Sequence, residues 1–423
     1  MQVRKVCIVG GKRIPFARSM SKYMGISNKD LMTASVQALV DQFKLKGKEV
    51  GEVSLGAVMK HSSDWNLARE VTLGSGLSAT TPAFDVQQAC GTSLESAILI
   101  ANKIALGHIE SGIAGGVDTN SDLPIVFSQK FAHRLIQSSR GRSMMDRVKP
   151  FIGMGLKELK PVAPGVMEPR TKLSMGQHCE LMAQEWLIPR DEQDELALSS
   201  HKSAAAAYEA GFFTDLIVPY GGLEKDNNVR SDTSIEKLSK LAPSFERSEK
   251  GTLTAGNSSP LTDGAACVLL ASEDEAKKNN WPVLAYLDNF QVGAVDFVAG
   301  EGLLMAPAFA VPKLLKKANM TLQDFDFYEI HEAFAAQVLC TLKAWESEDF
   351  CKNKLGLSQA LGSIDRKKLN VKGSSLAVGH PFAATGARIL VTLAKILSEN
   401  GGGKGLISIC TAGGMGVTAI VTK

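Results

Sequence analysis

The sequence predicts an α/β protein in which two similar halves flank a basic insertion. Units of strand, turn, helix and strand with glycine-rich seams occur on both sides of residues 122–250, a pattern typical of a duplicated α/β core. The insertion differs from both flanks because lysine and arginine are interleaved there with apolar side chains. With 423 residues, the chain is long enough for two or three domain-sized units.

Composition and cysteine spacing exclude several classes of protein. A net charge of +3 argues against a dedicated nucleic-acid binder. The 7 cysteines are scattered singly without CxxC spacing, so neither a disulfide framework nor a metal site is predicted. The run Met1–Lys5 leads directly into apolar residues without the core of a signal peptide, and no run reaches transmembrane length. We therefore expect a cytoplasmic protein in a reducing setting.

The first half opens with a predicted strand, Val6–Val9, which Gly10-Gly11 closes as a turn. These glycines lack the G-x-G-x-x-G spacing of a dinucleotide-binding loop. Asn28–Phe43 has the apolar spacing of a helix after an asparagine cap, and Val53–Met59 predicts a strand. The small residues of Ser111–Val117 predict another strand, which other backbone can approach closely.

The stretch Asp85–Ser93 holds the strongest candidate nucleophile, Cys90. Glycine and hydroxyl residues follow the cysteine, and Leu94–Leu106 is apolar on almost every helical face, which predicts a strand, a tight turn and a buried helix. A cysteine at a helix N-terminus lies beside free N–H groups, which favour the thiolate and lower its pKa from about 8.5 toward roughly 3.5–7.5. The alternative is an inert core cysteine, since free cysteines are often buried.

The insertion combines positive charge with apolar side chains. In its first part, residues 130–160, the basic residues are Lys130, Arg134, Arg140, Arg142, Arg147, Lys149, Lys157 and Lys160, and they are interleaved with apolar residues such as Phe131, Leu135, Met144, Met145, Val148, Phe151, Ile152, Met154 and Leu156. Such a segment is suited to an acidic partner, a membrane surface or phosphates, or is a solvated excursion. Two helices are predicted in the later part of the insertion, Asp191–Glu209 and the shorter Asp232–Leu241.

A polar turn, Leu253–Ala266, leads from the insertion into the predicted strand Cys267–Ala271. The second half then repeats the order of the first. The elements that follow are predicted, in order, as a strand Phe325–Ile330 before His331, a helix through Lys343, a strand Leu369–Leu376 before His380, a helix Ala383–Leu397, and a last strand Gly405–Ile409 before Cys410.

Four chemically active side chains follow these predicted strands: Cys90, His331, His380 and Cys410. In open α/β sheets, reactive residues gather at the carboxyl ends of strands, so we expect the four to lie together. A nucleophile, a base and a second thiol that moves a proton form the set that covalent acyl transfer requires. Taken alone, each residue also has a purely structural interpretation. His380 would be a hydrogen-bonded histidine in a turn, and Cys410 would be a buried core cysteine.

Five motifs resemble the signatures of the thiolase family, in the family's order. They are Gln88-Ala89-Cys90-Gly91-Thr92-Ser93, Gly256-Asn257-Ser258-Ser259, His331-Glu332-Ala333-Phe334, Gly379-His380-Pro381 and Cys410-Thr411-Ala412-Gly413-Gly414. The resemblance implies a duplicated αβαβα fold of five layers with a loop domain inserted in the first half. We expect residues 1–122 and 251–274 to form the N-terminal half, 123–250 the loop domain, and 275–423 the C-terminal half.

The resemblance also implies a role for each reactive group. Cys90 would attack the keto carbon of a 3-ketoacyl-CoA with the help of His380, while Cys410 would protonate the departing enolate and later deprotonate the incoming CoA thiol. The backbone N–H groups of Cys90 and Ala412 would form the oxyanion hole of the acyl step, and His380 with a water would serve the enolate. His331 stands where many members have asparagine, and histidine donates the same hydrogen bond to that water in the right tautomer.

The implied contacts to CoA are spread along the chain. They are Ser174, Met175, Arg230, Phe245, Ser259, Ala333 and Phe334. Arg230 is the only cation among them and is expected to meet a CoA phosphate, whereas the apolar members would flank the pantetheine arm. Ser174 stands where the family often has histidine, and Lys237 replaces a small polar residue. Coenzyme A is therefore expected as a substrate, with no tightly bound cofactor.

One branch of the family is especially similar. The motif forms at His331 and Cys410, with the long basic loop that contains Leu159-Lys160-Pro161-Val162, resemble the β-subunits of fatty-acid-oxidation trifunctional complexes. That branch implies β-oxidation of long or medium chains, a homodimeric core or higher oligomer, and a hydratase/dehydrogenase α-subunit as partner. The basic loop is also a candidate for weak contact with a membrane surface.

Three functions are compatible with these motifs. The first is a degradative 3-ketoacyl-CoA thiolase. The second is a condensing enzyme, either a biosynthetic acetyl-CoA acetyltransferase or a ketoacyl synthase; a decarboxylating synthase typically uses Cys-His-His, so Cys410 argues against it. The third is a non-catalytic partner subunit, against which the four retained chemical groups argue.

Overall fold

A computed structural model describes residues 3–165 and 167–423, so Met1 and Gln2, on which the prediction about a signal peptide partly rests, lie outside the described residues. The first half contains β1 (Val6–Arg13), β2 (Ala17–Arg18), α1 (Asn28–Gln42), β3 (Glu52–Leu55), α2 (Leu67–Gly74), β4 (Ala83–Asp85), α3 (Thr92–Ala105) and β5 (Ser111–Asp118). The insertion contains α4 (Gln129–Ser139), α5 (Met144–Val148), α6 (Met175–Glu185), α7 (Arg190–Glu209) and α8 (Ile235–Leu238). The first half is completed by β6 (Thr262–Ser272) and α9 (Glu273–Lys278). The second half contains β7 (Ala285–Ala294), α10 (Ala306–Ala318), β8 (Phe327–Ile330), α11 (Ala335–Glu346), α12 (Glu348–Asn353), α13 (Ser375–Val378), α14 (Thr385–Glu399), β9 (Lys404–Thr411) and β10 (Met415–Thr422).

The strands pair in the order β4-β3-β5-β6-β1-β7-β10-β9-β8, with β2 beside β6. In the first half, β6 lies antiparallel between β5 and β1, and β3 lies parallel between β5 and β4. In the second half, β10 lies antiparallel between β9 and β7, and β8 runs parallel to β9. The pairing β3-β5-β6-β1 of the first half thus recurs as β8-β9-β10-β7 in the second, and only β4 and the short β2 stand outside this repeat. The recurrence confirms the predicted duplication.

Helices cover the strands of both halves in five layers. Helices α1 and α2 pack on the outer face of the first half, and α10 and α11 pack on the outer face of the second. Helices α3 and α14 lie between the halves, where Leu94, Ile98, Ile389 and Leu393 share one core with strands of both. The fold class predicted from the sequence, a duplicated αβαβα arrangement, is therefore confirmed.

Glycine at positions 10 and 11 serves packing and not the predicted turn, because β1 continues through both residues to Arg13. A Cβ at Gly11 would lie 2.4 Å from Val391 Cγ2 on α14. A β-carbon there would push the central helix away from the strand, so glycine permits the close approach. Two other boundaries also differ from the prediction. Strand β3 ends at Leu55 and not at Met59. The cap of α1 is Ser27, whose side chain accepts a hydrogen bond from the Asp30 N–H.

The predicted strand Leu369–Leu376 is wrong. Leu369 makes a single parallel bridge with Tyr328, and the chain then turns, because Asn370 and Gly373 have φ angles of 48° and 73°. Left-handed backbone of this kind does not continue a strand. The Asn370 amide replaces the missing strand pairing, since it accepts a hydrogen bond from Ile330 N–H and donates one to Ile330 O, both at 2.9 Å.

Other elements were missed or misjudged in length. Strand β7 and helix α10 were not predicted, α8 is shorter than the predicted Asp232–Leu241, and β6 starts at Thr262, earlier than the predicted Cys267. Gly405–Ile409 was predicted as the last strand, but β10 follows it. Gly413 and Gly414, with φ angles of 78° and 70°, form the tight turn that joins the two strands.

The first part of the insertion, residues 125–162, forms a protruding segment that we call the basic arm. An antiparallel bridge between Val126 and Val162 closes its base. The ring of Phe131 packs on those of Phe127 and Phe151 at centroid distances of 5.1 and 6.3 Å. Neither of its helices, α4 and α5, contains a buried residue. None of the helices in residues 3–165 and 167–423 combines the length and the apolar character needed to cross a membrane.

Candidate active site

The N-terminal ends of α3 and α14 touch at the centre of the molecule. The Ala387 N–H donates to Ser93 Oγ at 2.8 Å. A Cβ at Gly386 would lie 2.3 Å from the backbone nitrogen of Leu94, so only glycine allows this approach. Because Cys90 directly precedes α3 and His380 precedes α14, the contact between the helices brings these two side chains together.

Cys90 lies in a short 3-10 turn, Ala89–Gly91, between β4 and α3. This confirms the predicted order of strand, turn and helix. Ala89 has a φ of 47°, a left-handed conformation that non-glycine residues seldom adopt. Thr92 Oγ1 stabilises it by accepting a hydrogen bond from Gln88 N–H at 2.8 Å and donating one to Ala89 O at 2.7 Å. The turn holds Cys90 Sγ 3.1 Å from His380 Nε2.

His380 follows α13 and a turn, and not a strand as predicted. Its backbone N–H donates to Thr262 Oγ1 at 2.7 Å, and its Nδ1 lies 2.6 Å from Thr385 Oγ1. Burial, with a smaller contribution from the charge of Arg388, lowers the pKa of His380 to about 3. The imidazole is therefore neutral, and Nε2 is able to accept a proton from the neighbouring thiol.

The low pKa predicted for Cys90 is wrong. Burial raises the pKa of the Cys90 thiol to about 12, although hydrogen bonds from the backbone N–H groups of Ala412 and of Cys90 itself act in the opposite direction. The free-energy cost of removing a thiolate from water thus exceeds the stabilisation that these backbone N–H groups provide. The resting site holds a neutral thiol beside a neutral imidazole.

His331 and Cys410 complete the cluster. His331 directly follows β8, and its ring centroid is 4.2 Å from that of His380. One ring nitrogen from each histidine and Cys90 Sγ lie within 4.8 Å of one another. Cys410 is the penultimate residue of β9, and burial, followed by the proximity of Cys90, raises the pKa of its thiol. The structure thus brings together the four side chains that the sequence singled out.

A cavity of about 400 Å³ opens beside the Cys90–His380 pair, and its wall is largely apolar. Besides Cys90 and His380, it is lined by Cys410, by Ala412 and by the predicted CoA contacts Ser174, Met175, Phe245, Ser259, Ala333 and Phe334. A cavity of this size, with a few polar groups at one end, is typical of a small-molecule site.

The cavity wall joins the insertion to the second half. Phe245 packs against Gly176, where a Cβ would lie 2.2 Å from the ring, and meets Phe334 edge to face at 5.8 Å. The Ser259 N–H donates to Ala333 O at 3.0 Å. Two of the motifs found in the sequence are therefore hydrogen-bonded to each other at the wall.

Arg230 does not line this cavity. It lines a neighbouring cavity of about 220 Å³ that also carries Arg18, His201 and Lys237. Ser258 lines both cavities, so the two are adjacent. Asp232 lines the same cavity and pairs with Lys237 at 2.6 Å, so Arg18 and Arg230 are the cations that leave the cavity with a positive charge, which suits phosphate groups.

Several residues that shape the cavity were not found by sequence reasoning. They are Val58, Met59, Met167, Glu168, Leu304 and Phe382. Asp118 orders part of this wall by accepting hydrogen bonds from Met59 N–H at 2.7 Å and Ala383 N–H at 2.8 Å. Phe382 directly follows the Gly379-His380-Pro381 motif and could have been found there, whereas the others stand in no local motif.

Comparison with known proteins identifies the family. The model of the thiolase N-terminal domain matches residues 6–274, and that of the thiolase C-terminal domain matches residues 281–423. The chain belongs to the thiolase family. Proteins named 3-ketoacyl-CoA thiolase from Shewanella woodyi and Shewanella baltica are 42% and 41% identical to it, with 99% of this chain and 96% of each relative covered.

Solved structures of thiolases share the fold along the whole chain. An acetyl-CoA acetyltransferase from Bacillus anthracis superposes with a TM-score of 0.82 at 32% identity and covers 100% of this chain and 99% of its own. Human mitochondrial 3-ketoacyl-CoA thiolase in complex with CoA gives a TM-score of 0.81 at 30% identity and covers 99% of this chain and 98% of its own. The cluster around Cys90 thus lies in a fold that binds CoA in a related enzyme.

Proposed function

We propose that this protein is an acetyl-CoA C-acyltransferase, a 3-ketoacyl-CoA thiolase that cleaves 3-ketoacyl-CoA with CoA to acetyl-CoA and a shortened acyl-CoA. The observation that carries the proposal is the 3.1 Å contact between Cys90 Sγ and His380 Nε2 at the end of an apolar cavity that Cys410 also lines. The full-length relatives with this activity in their names support it.

In the first half-reaction, Cys90 Sγ attacks the keto carbon at C3 while its proton moves to His380 Nε2. The tetrahedral alkoxide collapses, the C2–C3 bond breaks, and acetyl-CoA leaves as an enolate. Cys410 gives its proton to C2 of the enolate and becomes a thiolate. The shortened acyl group remains on Cys90 as a thioester.

In the second half-reaction, the Cys410 thiolate takes the proton of the incoming CoA thiol. The CoA sulfur attacks the thioester, and the N–H groups of Cys90 and Ala412 stabilise the oxyanion that forms. These two groups already contact the Cys90 sulfur. Cys90 leaves as a thiolate and recovers its proton from His380, so the protons balance over the cycle. Losing one such donor typically costs about 10²–10³ in rate.

The apolar cavity receives the acyl chain and the pantetheine arm, with Phe245 and Phe334 as its aromatic wall. The adjacent basic cavity, with Arg18, Arg230 and Lys237, receives phosphates of CoA. Arg230→Ala is then expected to raise the KM for CoA with little change in kcat, because Arg230 is remote from the reacting atoms.

The test of the reaction is CoA-dependent loss of a 3-ketoacyl-CoA. Cys90→Ala is expected to abolish it, whereas Cys351→Ala, a matched change of a buried cysteine in α12, retains it. Equal cleavage by wild type and Cys90→Ala would refute the proposal. A marked preference for acetoacetyl-CoA over a long-chain substrate would favour the alternative, a biosynthetic acetyl-CoA acetyltransferase, to which the Bacillus anthracis neighbour lends support.

Several wider features belong to the same proposal. Residues 1–122 and 251–274 form one half of the core, 123–250 the inserted loop domain, and 275–423 the other half. The protein acts in fatty acid β-oxidation in the cytoplasm, and its 7 unpaired cysteines are compatible with a reducing compartment. It forms a homodimeric core and binds a hydratase/dehydrogenase α-subunit. Native mass measurement, alone and with candidate partners, tests the assembly.

The basic arm binds weakly to anionic membrane surfaces. Its exposed apolar side chains include Phe127, Ile136, Met144, Val148, Ile152 and Leu156, and they stand among the arginines and lysines of the same segment, the combination that favours a charged lipid interface. Sedimentation with phosphatidylglycerol vesicles should bring down the wild type at low salt, and phosphatidylcholine vesicles should not. Retained binding after Arg140, Arg142, Arg147 and Lys149 are changed to glutamate would contradict this role.

A further inference from the structure

His331 has two ring nitrogens with very different surroundings. Its Nδ1 lies 2.8 Å from Ser375 Oγ. Its Nε2 is buried and has no hydrogen-bond partner among the described residues. Because Nδ1 is engaged with Ser375, Nε2 is the ring nitrogen that still lacks a hydrogen-bond partner in the described part of the chain.

Ser375 Oγ also contacts Arg388, whose Nη2 lies 2.6 Å from it. A guanidinium group has only donors, so the serine oxygen must accept this hydrogen bond. The hydroxyl has a single proton of its own, and His331 Nδ1 is the remaining partner recorded for it in the described residues. A hydroxyl oxygen can accept two hydrogen bonds, so the two contacts alone leave both directions open, but only donation to Nδ1 gives the serine proton an acceptor among the recorded contacts. We therefore assign Nδ1 as the acceptor.

The guanidinium is itself held in place. Arg388 Nη1 donates to Ser374 Oγ at 3.1 Å and lies 4.0 Å from Glu329 Oε2, and the Arg388 side chain is buried. A fixed positive charge beside the hydroxyl polarises the O–H bond and strengthens its donation to Nδ1. Burial, followed by the neighbouring His380 and then the Arg388 charge, lowers the pKa of His331, so the ring is neutral and carries one proton.

We propose that Arg388 and Ser375 are positioning residues that fix the tautomer of His331, so that Nε2 carries the proton and acts as a donor toward the enolate. The proposal rests on the thiolase reaction described above. It adds two residues that do not react themselves but orient a group that does. His380 then presents Nε2 as an acceptor to Cys90, while His331 presents Nε2–H as a donor. Both Nδ1 atoms lie beside a hydroxyl group, Thr385 for His380 and Ser375 for His331, but only the Ser375 hydroxyl also accepts a hydrogen bond from a guanidinium.

The direct test is the tautomer of His331 in the wild-type full-length enzyme. Uniform ¹⁵N labelling of histidine, with His331→Gln to assign the resonances, reports which nitrogen is protonated. We expect a protonated Nε2 and an unprotonated Nδ1. A protonated Nδ1 in the wild-type enzyme would overturn the proposal and would leave the thiolase reaction itself intact.

The functional test compares Ser375→Ala, Ser375→Thr and Ser374→Ala. Ser375→Ala is expected to lower kcat about 10- to 100-fold with little change in KM, because it weakens one donor in the transition state. It should slow exchange of the α-protons of acetyl-CoA with D₂O to the same degree. Ser375→Thr retains the hydroxyl and should restore most of both rates, and Ser374→Ala, which contacts Arg388 but not the imidazole, should cost less than Ser375→Ala.

Failure of the inference and failure of the proposed reaction are distinguishable. If wild type shows no thiolysis, the proposed function fails, whatever the tautomer. If wild type is active and a folded Ser375→Ala, checked by its melting temperature, keeps the wild-type kcat and proton exchange, the positioning role is wrong and the reaction stands.

Discussion

Burial, more than any charged partner, controls the titration of the reactive side chains. Cys90 is neutral as a thiol and His380 is neutral as an imidazole, because burial disfavours the charged form of each group. The proton therefore moves between them only when the sulfur attacks. This differs from a preformed thiolate and imidazolium pair, and the difference is measurable.

The rate of alkylation of Cys90 by iodoacetamide should rise about tenfold per pH unit between pH 6 and 9, because the thiolate fraction grows in this way below the pKa. The Cys90→Ala variant supplies the background from the other cysteines, which are all buried. A rate that reaches a plateau below pH 8 would show that a neighbouring group stabilises the thiolate after all.

Glu329 is a second buried titratable group, and burial raises its pKa to about 8. The folded state keeps this proton between about pH 4.5 and 8, whereas the unfolded state has lost it, so the contribution of Glu329 to the free energy of unfolding falls as pH rises through that window. The expected slope is roughly 1.4 kcal/mol per pH unit. In Glu329→Gln this slope is absent. Urea denaturation at several pH values checks the difference, and parallel profiles for the two proteins would contradict it.

At the scale of elements, the crossing of α3 and α14 determines whether Cys90 meets His380. Gly386→Ala places a Cβ against the backbone of Leu94, and forcing the helices apart is expected to cost about 1–3 kcal/mol of stability. The activity should fall further than the stability alone explains, because the reacting atoms separate. Denaturation and kcat measurements on the folded variant check both.

Gly155→Ala is the matched control for this prediction. Gly155 has an ordinary φ of −86° and open space around its Cα, so an added methyl group meets nothing within 4 Å. Its stability and kcat should match those of wild type. Equal behaviour of the two glycine variants would show that the close approach of the helices does not matter.

Sequence reasoning found the elements that carry strong local patterns. Helix α3 is apolar on nearly all faces and α7 is rich in alanine, and both were predicted within a few residues. Sequence reasoning was wrong at Asn370, where a side-chain amide makes the hydrogen bonds to Ile330 that a strand would make. It was also wrong at Gly11, where glycine allows a helix to pack closely and does not form a turn. Such features depend on partners that are distant in the sequence, so a local pattern cannot reveal them.

The same limit applies to the site. Cys90, His331, His380 and Cys410 were singled out because each stands in a motif, and the family resemblance pointed to six residues that line the cavity beside Cys90. Asp118, which orders the loops after β3 and before α14, was missed. The sequence also did not show that Arg230 lines a second cavity and not the one beside Cys90. This placement depends on how the insertion packs against the core.

At the scale of the whole molecule, a buried ion pair fastens the insertion to the core. Arg13 at the end of β1 contacts Asp226 through both carboxylate oxygens, at 2.6 and 2.8 Å. Tyr208 on α7 also donates to Asp226 at 2.7 Å. The insertion, which supplies part of the wall of the cavity beside Cys90, is thus held against the strands of the core.

Asp226→Ala should reduce the free energy of unfolding by about 3–5 kcal/mol, because it leaves the Arg13 charge buried without a partner. Glu348→Gln removes a carboxylate from the exposed pair with Lys352 and should change stability by less than about 0.5 kcal/mol. Chemical denaturation of both variants checks this, and similar losses in the two would contradict a fastening role for the buried pair.

The central claim is that residues far apart in the chain converge on one thioester. Its most direct measurement is mass spectrometry of the acid-quenched enzyme after incubation with a 3-ketoacyl-CoA in the absence of CoA. The account predicts an acyl group, shorter than the substrate chain by the acetyl unit, on the peptide that contains Cys90. An unmodified Cys90, or the acyl group on another residue, would contradict it.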